Sequence, residues 1–464
     1  MKHFALFYAV TLALAISASA QEYKSVGIPS PNGSPRVVAM NRVGQVVGRN
    51  TLPAAAGVFL WSKSSGTQYL GTLGGTSAVV SALNDSGQVA GYSDIPGDSV
   101  QHAFRWTASS GMQDLGTLGG FSAADAMNAA GTVVGGSVSS SSNMERAFLW
   151  TPTGGMRDIG FGDGSYALAI NDPGEVLGVS CALSCNTFHS YLWSSSRGVE
   201  SLDVPGSTST HVLAINNREQ VIGSYTSATG TFAFFWTRSA GFQTLPLLNG
   251  SATTASFLNG AGQVAGSSCT APGRCHAFIW SSAGGIQDLG APPNQDQIVP
   301  LAVNGSGEVL GVTVAHYTHN LLYFLWNPQT GLKQFPNYTP SYGPGALNDA
   351  GQIAGQTGSG GYRAFLLSPL MHVTVTSSLN PSKKGQSVTF TANVTSVQGA
   401  PPDGELVTFK AGGKSLGTVP LVGGSASLAA TFTTVGTHPI VARYAGDVNY
   451  DANSSAPLQQ VVAP

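Results

Sequence analysis

Short apolar runs broken by turn residues follow one another along most of this chain, and they do so in a fixed order. In NDSGQVAG, at 84–91, a polar turn opens on Asn, closes on Gly and runs into an apolar strand. The same spelling returns at Asn41, Asn84, Asn128, Asn171, Asn216, Asn259, Asn304 and Asn348, always 43 to 45 residues apart. Each copy reads Asn, two variable residues, Gly, one variable residue, Val or Ile, an apolar or small residue, then Gly. The fifth alone differs, with Glu219 in place of the first Gly. An asparagine side chain opens a type I turn by bonding backbone groups ahead of it, and Gly supplies the positive φ that closes a hairpin. Glu219 is therefore expected to adopt another geometry or to carry strain.

Ahead of each Asn lies a small-then-apolar pair, as in VSALN, ADAMN, ALAIN and PGALN, with Phe257 replacing the small residue in the sixth copy. This reads as one strand ending. QVAG, TVVG, EVLG and QVIG read as the next strand, whose last Gly lets a neighbouring backbone or ring come close. HAFRW, RAFLW, HSYLW, FAFFW and HAFIW form a third strand, and MQDLGTLGG or MRDIG a fourth. Four short strands per copy, repeated in tandem, are the signature of a propeller blade. An open solenoid is the rival arrangement. The first copy is preceded by a fourth-strand analogue, YKSVGIP near Tyr23, whereas the last ends on the third strand, RAFLL, at Leu367. The N-terminal strand is thus expected to complete the last blade and remove the exposed edges of an open stack.

From about His372 the period stops, and SVTFTANV, LVTFK, ASLAATF and HPIVARY alternate as strands over the remaining residues. Their number and spacing suit an immunoglobulin-like sandwich, without the disulfide of antibody domains because no cysteine follows Cys275. The expected fold is all-β: an eight-bladed β-propeller and a C-terminal immunoglobulin-like β-sandwich. The domains are a signal peptide at 1–20, the propeller at 21–370 and the sandwich at 371–464.

All seven tryptophans occupy one repeat position: Trp61, Trp106, Trp150, Trp193, Trp236, Trp280 and Trp326, with Leu367 in the eighth copy. A residue repeated at one scaffold position reads as packing between blades rather than as a binding platform. His102, His189 and His276 also share a position, which Arg146 and Phe232 fill elsewhere, so scaffold hydrogen bonding is expected of them.

Charged residues make up 9% of the 464 and the formal net charge is -2, which sets aside a basic nucleic-acid footprint. Lys2 and His3, the apolar run at 4–16 and the small residues Ala18, Ser19 and Ala20 read as an export signal, with the mature chain beginning near Gln21. No later segment is apolar enough to span a membrane as a helix. The four cysteines fit an oxidising compartment. Cys181 and Cys185, in CALSC, and Cys269 and Cys275, in CTAPGRC, occupy equivalent loops. Two local disulfides need the least rearrangement of the chain, and a zinc site is the competing reading.

Together, the HAF…W strand, DLGTLGG and NxxGxVxG resemble the bacterial extracellular HAF repeat family over about residues 22–370. That resemblance implies an exported repeat protein and carries no catalytic residues. NPSKKGQSVTFTANV, VTFKAGGKSLGTVPL and ARYAGDVNYDANSS are similar to bacterial immunoglobulin-like domains of surface proteins, which act as spacers or adhesive modules.

Few residues stand where chemistry would need them. Asp114, Asp158, Asp203 and Asp288 belong to the recurring fourth strand, and Asp85, Asp172 and Asp349 to the recurring turn. Off the pattern stand Asp94, Asp98, Asp125, Asp163, Asp296 and Glu145, scattered among several blades, with no spacing that argues convergence. HYTH at 316–319 is the one close histidine pair. Asp447, Asn449 and Asp451 begin like a calcium loop, but Ala452 and Leu458 stand where an EF-hand needs Gly and Glu, so a strand-connecting turn is expected. No cofactor and no metal is implied. The variable loops between second and third strands share one face, where binding is expected. The chain reads as an exported, non-catalytic binding or adhesion protein, in the periplasm, at the cell surface or outside the cell. Its partner is expected to be a surface polysaccharide or an extracellular protein. A polysaccharide-acting hydrolase or lyase and a self-assembling surface protein are the alternatives.

Overall fold

A computed structural model describes residues 22–29, 35–50, 57–97, 100–181, 187–248, 252–271, 274–290, 295–315, 321–335, 345–357 and 363–464. The export signal expected at 1–20 lies outside them. The described residues are all-β, without a helix, and form two compact units. One is Gly27–Asp349 with Ile353–Phe365; the other joins the chain up to Val26, Ala350–Gln352 and Leu366–Pro464.

Each of the first seven repeats folds its four strands into an antiparallel sheet in chain order, which short strands joined by tight turns favour. Around Asn84 these are Ala78–Leu83, Val89–Asp94, Gln101–Thr107 and Gly111–Asp114. The strands around Asn259 and Asn304 are joined into one sheet by a parallel bridge from Cys275 to Gln297. In the last repeat, Tyr23–Ile28 pairs with Arg363–Pro369 and takes the fourth place, as the phase of the copies led one to expect. First strands of successive repeats neighbour one another all the way round, from Pro35–Met40 to Ala346–Leu347 and back. This is a propeller.

The asparagines close that circle. Asn84 shapes its own turn by accepting Gln88 N–H at its Oδ1 (3.0 Å), and its Nδ2 donates onward to the carbonyl of Asn128 at 3.2 Å. Asn41 Nδ2 donates to Asn84 O at 3.0 Å, Asn128 to Asn171 O at 3.2 Å and Asn171 to Asn216 O at 3.1 Å. Asn216 donates to Asn259 O at 3.0 Å, Asn259 to Asn304 O at 2.8 Å and Asn304 to Asn348 O at 3.1 Å. Asn348 then donates to Asn41 O at 3.5 Å, which returns the chain of bonds to its start. These side chains are almost fully buried, so each bond satisfies a carbonyl that water does not reach.

Glu219 takes φ 57°, close to the 74° of its counterpart Gly87. It keeps the repeat geometry and carries the strain of a left-handed non-glycine residue. Its carboxylate is held by Arg238 (2.6 Å) and Arg197 (2.5 Å), and Arg197 also binds Glu175 of the preceding copy at 2.6 Å. The expected close approach at the second-strand Gly is present. A Cβ on Gly223 would stand 2.8 Å from the Phe234 ring and would also meet the His211 carbonyl.

The cores lie between consecutive repeats. Trp106 is packed with Val47, Val58 and Leu60 of the copy before it, and Trp150 with Ala90, Ala103 and Leu115. Trp193, Trp236, Trp280 and Trp326 repeat the arrangement. Arg105 and Arg157, each from the preceding repeat, lie over Trp150 and Trp193 at 5.7 and 5.2 Å. Leu367, 1% exposed, fills the position in the last copy.

In the second unit the sandwich pairs His372–Ser377, Ser387–Thr395 and Ser425–Thr431 in one sheet. Ser382–Lys383, Leu458–Ala463, Gly436–Tyr444, Leu406–Ala411 and Lys414–Pro420 form the other, with Asn453–Ser454 beside Gly436–Tyr444. Phe390, Phe409, Ile440 and Tyr444 lie in the core between them. Asp447 Oδ1 accepts the N–H groups of Asn449 (2.8 Å) and Tyr450 (2.7 Å), which builds the turn between strands.

Candidate functional site

Antiparallel order brings the start of each third strand and the end of each fourth to the end opposite the Asn turns. There His102 Nδ1 lies 2.9 Å from Asp114 Oδ2, His189 Nδ1 2.8 Å from Asp203 Oδ2 and His276 Nδ1 2.9 Å from Asp288 Oδ2. In the intervening copy Arg146 reaches Asp158 (2.9 Å) and Asp163 (2.8 Å). The Ser142 hydroxyl and the Arg146 guanidinium hold the Asp163 carboxyl below the usual carboxylate range. In the fifth copy Phe232 takes the place of the histidine and Thr244 that of the aspartate; the half-buried rings of Tyr225 and Phe232 lie 5.5 Å apart, and the Tyr225 hydroxyl bonds Thr244 Oγ1 at 2.9 Å.

The aspartates also have a scaffold task. Asp114, Asp158 and Asp288 each accept the N–H of the glycine two residues on, at 2.8, 2.7 and 2.9 Å, which is why the DLG and DIG spellings recur. The imidazoles still reach solvent: the side chains of His189 and His276 are 54% and 40% exposed. At the same end Cys269 and Cys275, directly opposed on neighbouring strands, form a disulfide. Cys181 is disulfide-bonded too; Cys185 lies outside the described residues. A disulfide fits an oxidising compartment.

The off-pattern acids divide. Asp94, 9% exposed, accepts Gln101 Nε2 at 2.8 Å. Asp163 belongs to the Arg146 group. Asp98, HYTH and the side chain of Asp296 lie outside the described residues. Asp125 and Glu145, which no spacing relates, are brought together. Their meeting depends on a β-bulge in the first strand of Gly119–Met127, between Ala124 and Ala126, where Asp125 is the extra residue. The same register shift recurs at Val37/Ala39, Val80/Ala82, Ala167/Ala169, Val212/Ala214, Ala255/Phe257 and Pro300/Ala302. The bulged residues are thus Val38, Ser81, Asp125, Leu168, Leu213, Ser256 and Leu301, of which Asp125 alone is ionisable.

Glu145 opens the third strand of the same repeat, and its side chain lies across Gly136, where a Cβ would collide with Oε1. Asp125 is exposed to solvent at its surface; partial desolvation by the surrounding protein pushes its carboxyl up to about 7, with the Glu145 charge adding to the rise. Burial raises Glu145 as well. The Tyr166 hydroxyl, on the first strand of the next repeat, is raised by burial and by both carboxylates. A folded-state value above the unfolded one means that the folded protein holds this proton more tightly. Stability is therefore expected to fall as pH rises from about 4 to about 7 and to level off above. Asp125→Asn should melt like the parent near pH 4 and higher than the parent at pH 8, as read from melting temperatures of the two proteins across that range.

Among the described residues no group of three or more His, Cys, Asp or Glu is placed to hold a metal ion, and no helix is long and apolar enough to cross a membrane.

Residues 375–463 match the bacterial Ig-like domain (group 3) family. Virginiamycin B lyase from Staphylococcus aureus aligns over 75% of this chain and 98% of its own at 11% identity and a TM-score of 0.38. The β-propeller domain of the Trilobed protease from Pyrococcus furiosus aligns over 65% and 97% at 10% identity, TM-score 0.44. TolB from Acinetobacter baumannii aligns over 77% and 82% at 12% identity, TM-score 0.34. A search of curated proteins found no match.

Proposed function

We propose that this chain is an exported binding protein of the HAF-repeat kind, an eight-bladed propeller whose loop-bearing end contacts a polysaccharide. The observation that carries the reading is the row of solvent-reaching His and Arg side chains, each held by an aspartate, at the end where the variable loops lie. Fixed pairs of donor and acceptor suit sugar hydroxyl groups, and the Tyr225 and Phe232 rings supply an apolar surface for a pyranose face. Holding each side chain in place beforehand lowers the ordering cost of binding. The sandwich, similar to modules of surface proteins, serves as spacer or second contact.

The full chain should be retained on one or more members of a panel of purified bacterial and plant polysaccharides, without release of product. The triple variant His102→Ala, His189→Ala, His276→Ala should lose at least about tenfold in affinity, corresponding to about 1.4 kcal/mol. Its melting temperature should change little, because exposed pairs of this kind contribute about 0–1 kcal/mol each. Retention unchanged in the triple variant would move the contact elsewhere.

A second reading rests on Asp125 and Glu145. One carboxyl protonated near neutrality beside another is the pairing that acid–base cleavage of a glycan uses. Product release in the same assay, abolished by Asp125→Asn, would favour a hydrolase or lyase over a binding protein. A mass that grows with concentration would favour self-assembly.

A further inference from the structure

The eighth repeat departs from the others at its turn, and the departure involves the sandwich. In several copies the turn Gly is faced by the glutamine of the copy before it. A Cβ on Gly87, Gly262 or Gly307 would stand 2.9, 2.5 and 2.7 Å from Gln45, Gln220 and Gln263. In the eighth copy the facing glutamine belongs to no repeat. Gln398, in the sandwich turn closed by Ser396 and Gly399, would lie 2.5 Å from a Cβ on Gly351. Its Nε2 donates to the Tyr23 hydroxyl at 2.5 Å.

The glutamine of the eighth copy also reaches the sandwich. Gln45, Gln220 and Gln263 accept the Nδ2 of their own repeat's Asn at 2.7, 2.7 and 2.8 Å. Gln352 donates from Nε2 to the carbonyl of Asn449 at 3.0 Å, and to Ser368 Oγ at 3.0 Å. Two residues on, Asp451 Oδ2 lies 3.1 Å from Lys24 Nζ. Tyr23, Lys24, Gly351, Gln352, Gln398, Asn449 and Asp451 all belong to the compact unit that contains the sandwich.

We propose that the sandwich is the clasp of the closing strand. Gln398, Asn449 and Asp451 hold residues 23–26 and the eighth turn, whose Gly a neighbouring repeat faces in several other copies. The strand that completes the last repeat comes from the other end of the chain, so no short loop retains it once its pairing opens. The sandwich contacts oppose that opening, and a load on the sandwich is passed to the strand.

Hydrogen exchange on the full chain tests this, comparing the parent with the double variant Gln398→Ala, Asp451→Ala and with Lys24→Met. Amides at 23–26 should exchange about tenfold faster in the double variant and several-fold faster in Lys24→Met, while those of Gln220–Ser227 stay unchanged. Unchanged exchange at 23–26 in a folded double variant would overturn the proposal. If the double variant does not fold, Lys24→Met decides with the same readout: faster exchange supports the clasp, and no change overturns it.

Discussion

Replacing Trp280 by alanine is expected to destabilise the repeat region by about 3–5 kcal/mol, the usual cost of truncating a large buried aromatic. Trp280 is 2% exposed and packs with Ile222, Ala233, Phe235 and Leu245 of the preceding copy as well as Val264 and Phe278 of its own. Its ring lies 5.0 Å from that of Phe235. Truncation therefore opens a cavity between two repeats, where both walls are sheets held by their own hydrogen bonds and neither collapses easily. Trp280→Leu should cost less, because the eighth copy already uses Leu367 at this position and buries it to 1% exposure. Urea unfolding of the two variants beside the parent checks both the size and the order. A loss below about 1 kcal/mol for alanine would mean that the indole is not a packing residue, and would return the tryptophans to consideration as a binding surface.

Asn259→Ala is expected to cost about 2–4 kcal/mol although it removes few atoms, because it leaves several buried groups without partners. Asn259, 5% exposed, accepts the N–H groups of Ala261 (3.0 Å) and Gln263 (2.8 Å) at Oδ1. Its Nδ2 donates to Gln263 Oε1 and to the Asn304 carbonyl, both at 2.8 Å. Asn259→Asp keeps the two acceptor roles and loses both donors, and it turns a carboxylate toward the Asn304 carbonyl. It should be no better than alanine at pH 7 and should improve as the pH falls and the carboxyl takes up a proton. Melting temperatures at pH 5 and pH 7 separate the two variants. If Asn259→Asp matched the parent at pH 7, the donated bond to the next repeat would carry no weight.

How far each feature was legible depended on whether it repeats. The strand order, the turn and the close approach at the second-strand Gly recur, so their physical reason is written many times in one chain. Glu219 shows the limit of such reading. The local rule names strain there, but the arginines that hold its carboxylate come from third-to-fourth-strand turns 19 and 22 residues away, in pairings that become visible once the sheets are formed. The bulge at Asp125 left a weaker mark. Apolar or small residues fill the equivalent positions in the other copies, and one aspartate among them was a signal that spacing alone does not interpret.

The sequence by itself determined the all-β class, the four-strand repeat, the place of the N-terminal strand in the last repeat and the immunoglobulin-like character of the end of the chain. Local turn chemistry and alternating burial act over a few residues and leave a periodic trace. Tertiary structure alone decided that the eight asparagines bond each other in a closed circle, that Asp125 and Glu145 share one environment, and that Gln398 and Asp451 reach Tyr23 and Lys24. Each of these joins residues on different strands or from distant parts of the chain. Such contacts depend on register, bulges and the meeting of chain ends, which no short stretch of sequence encodes.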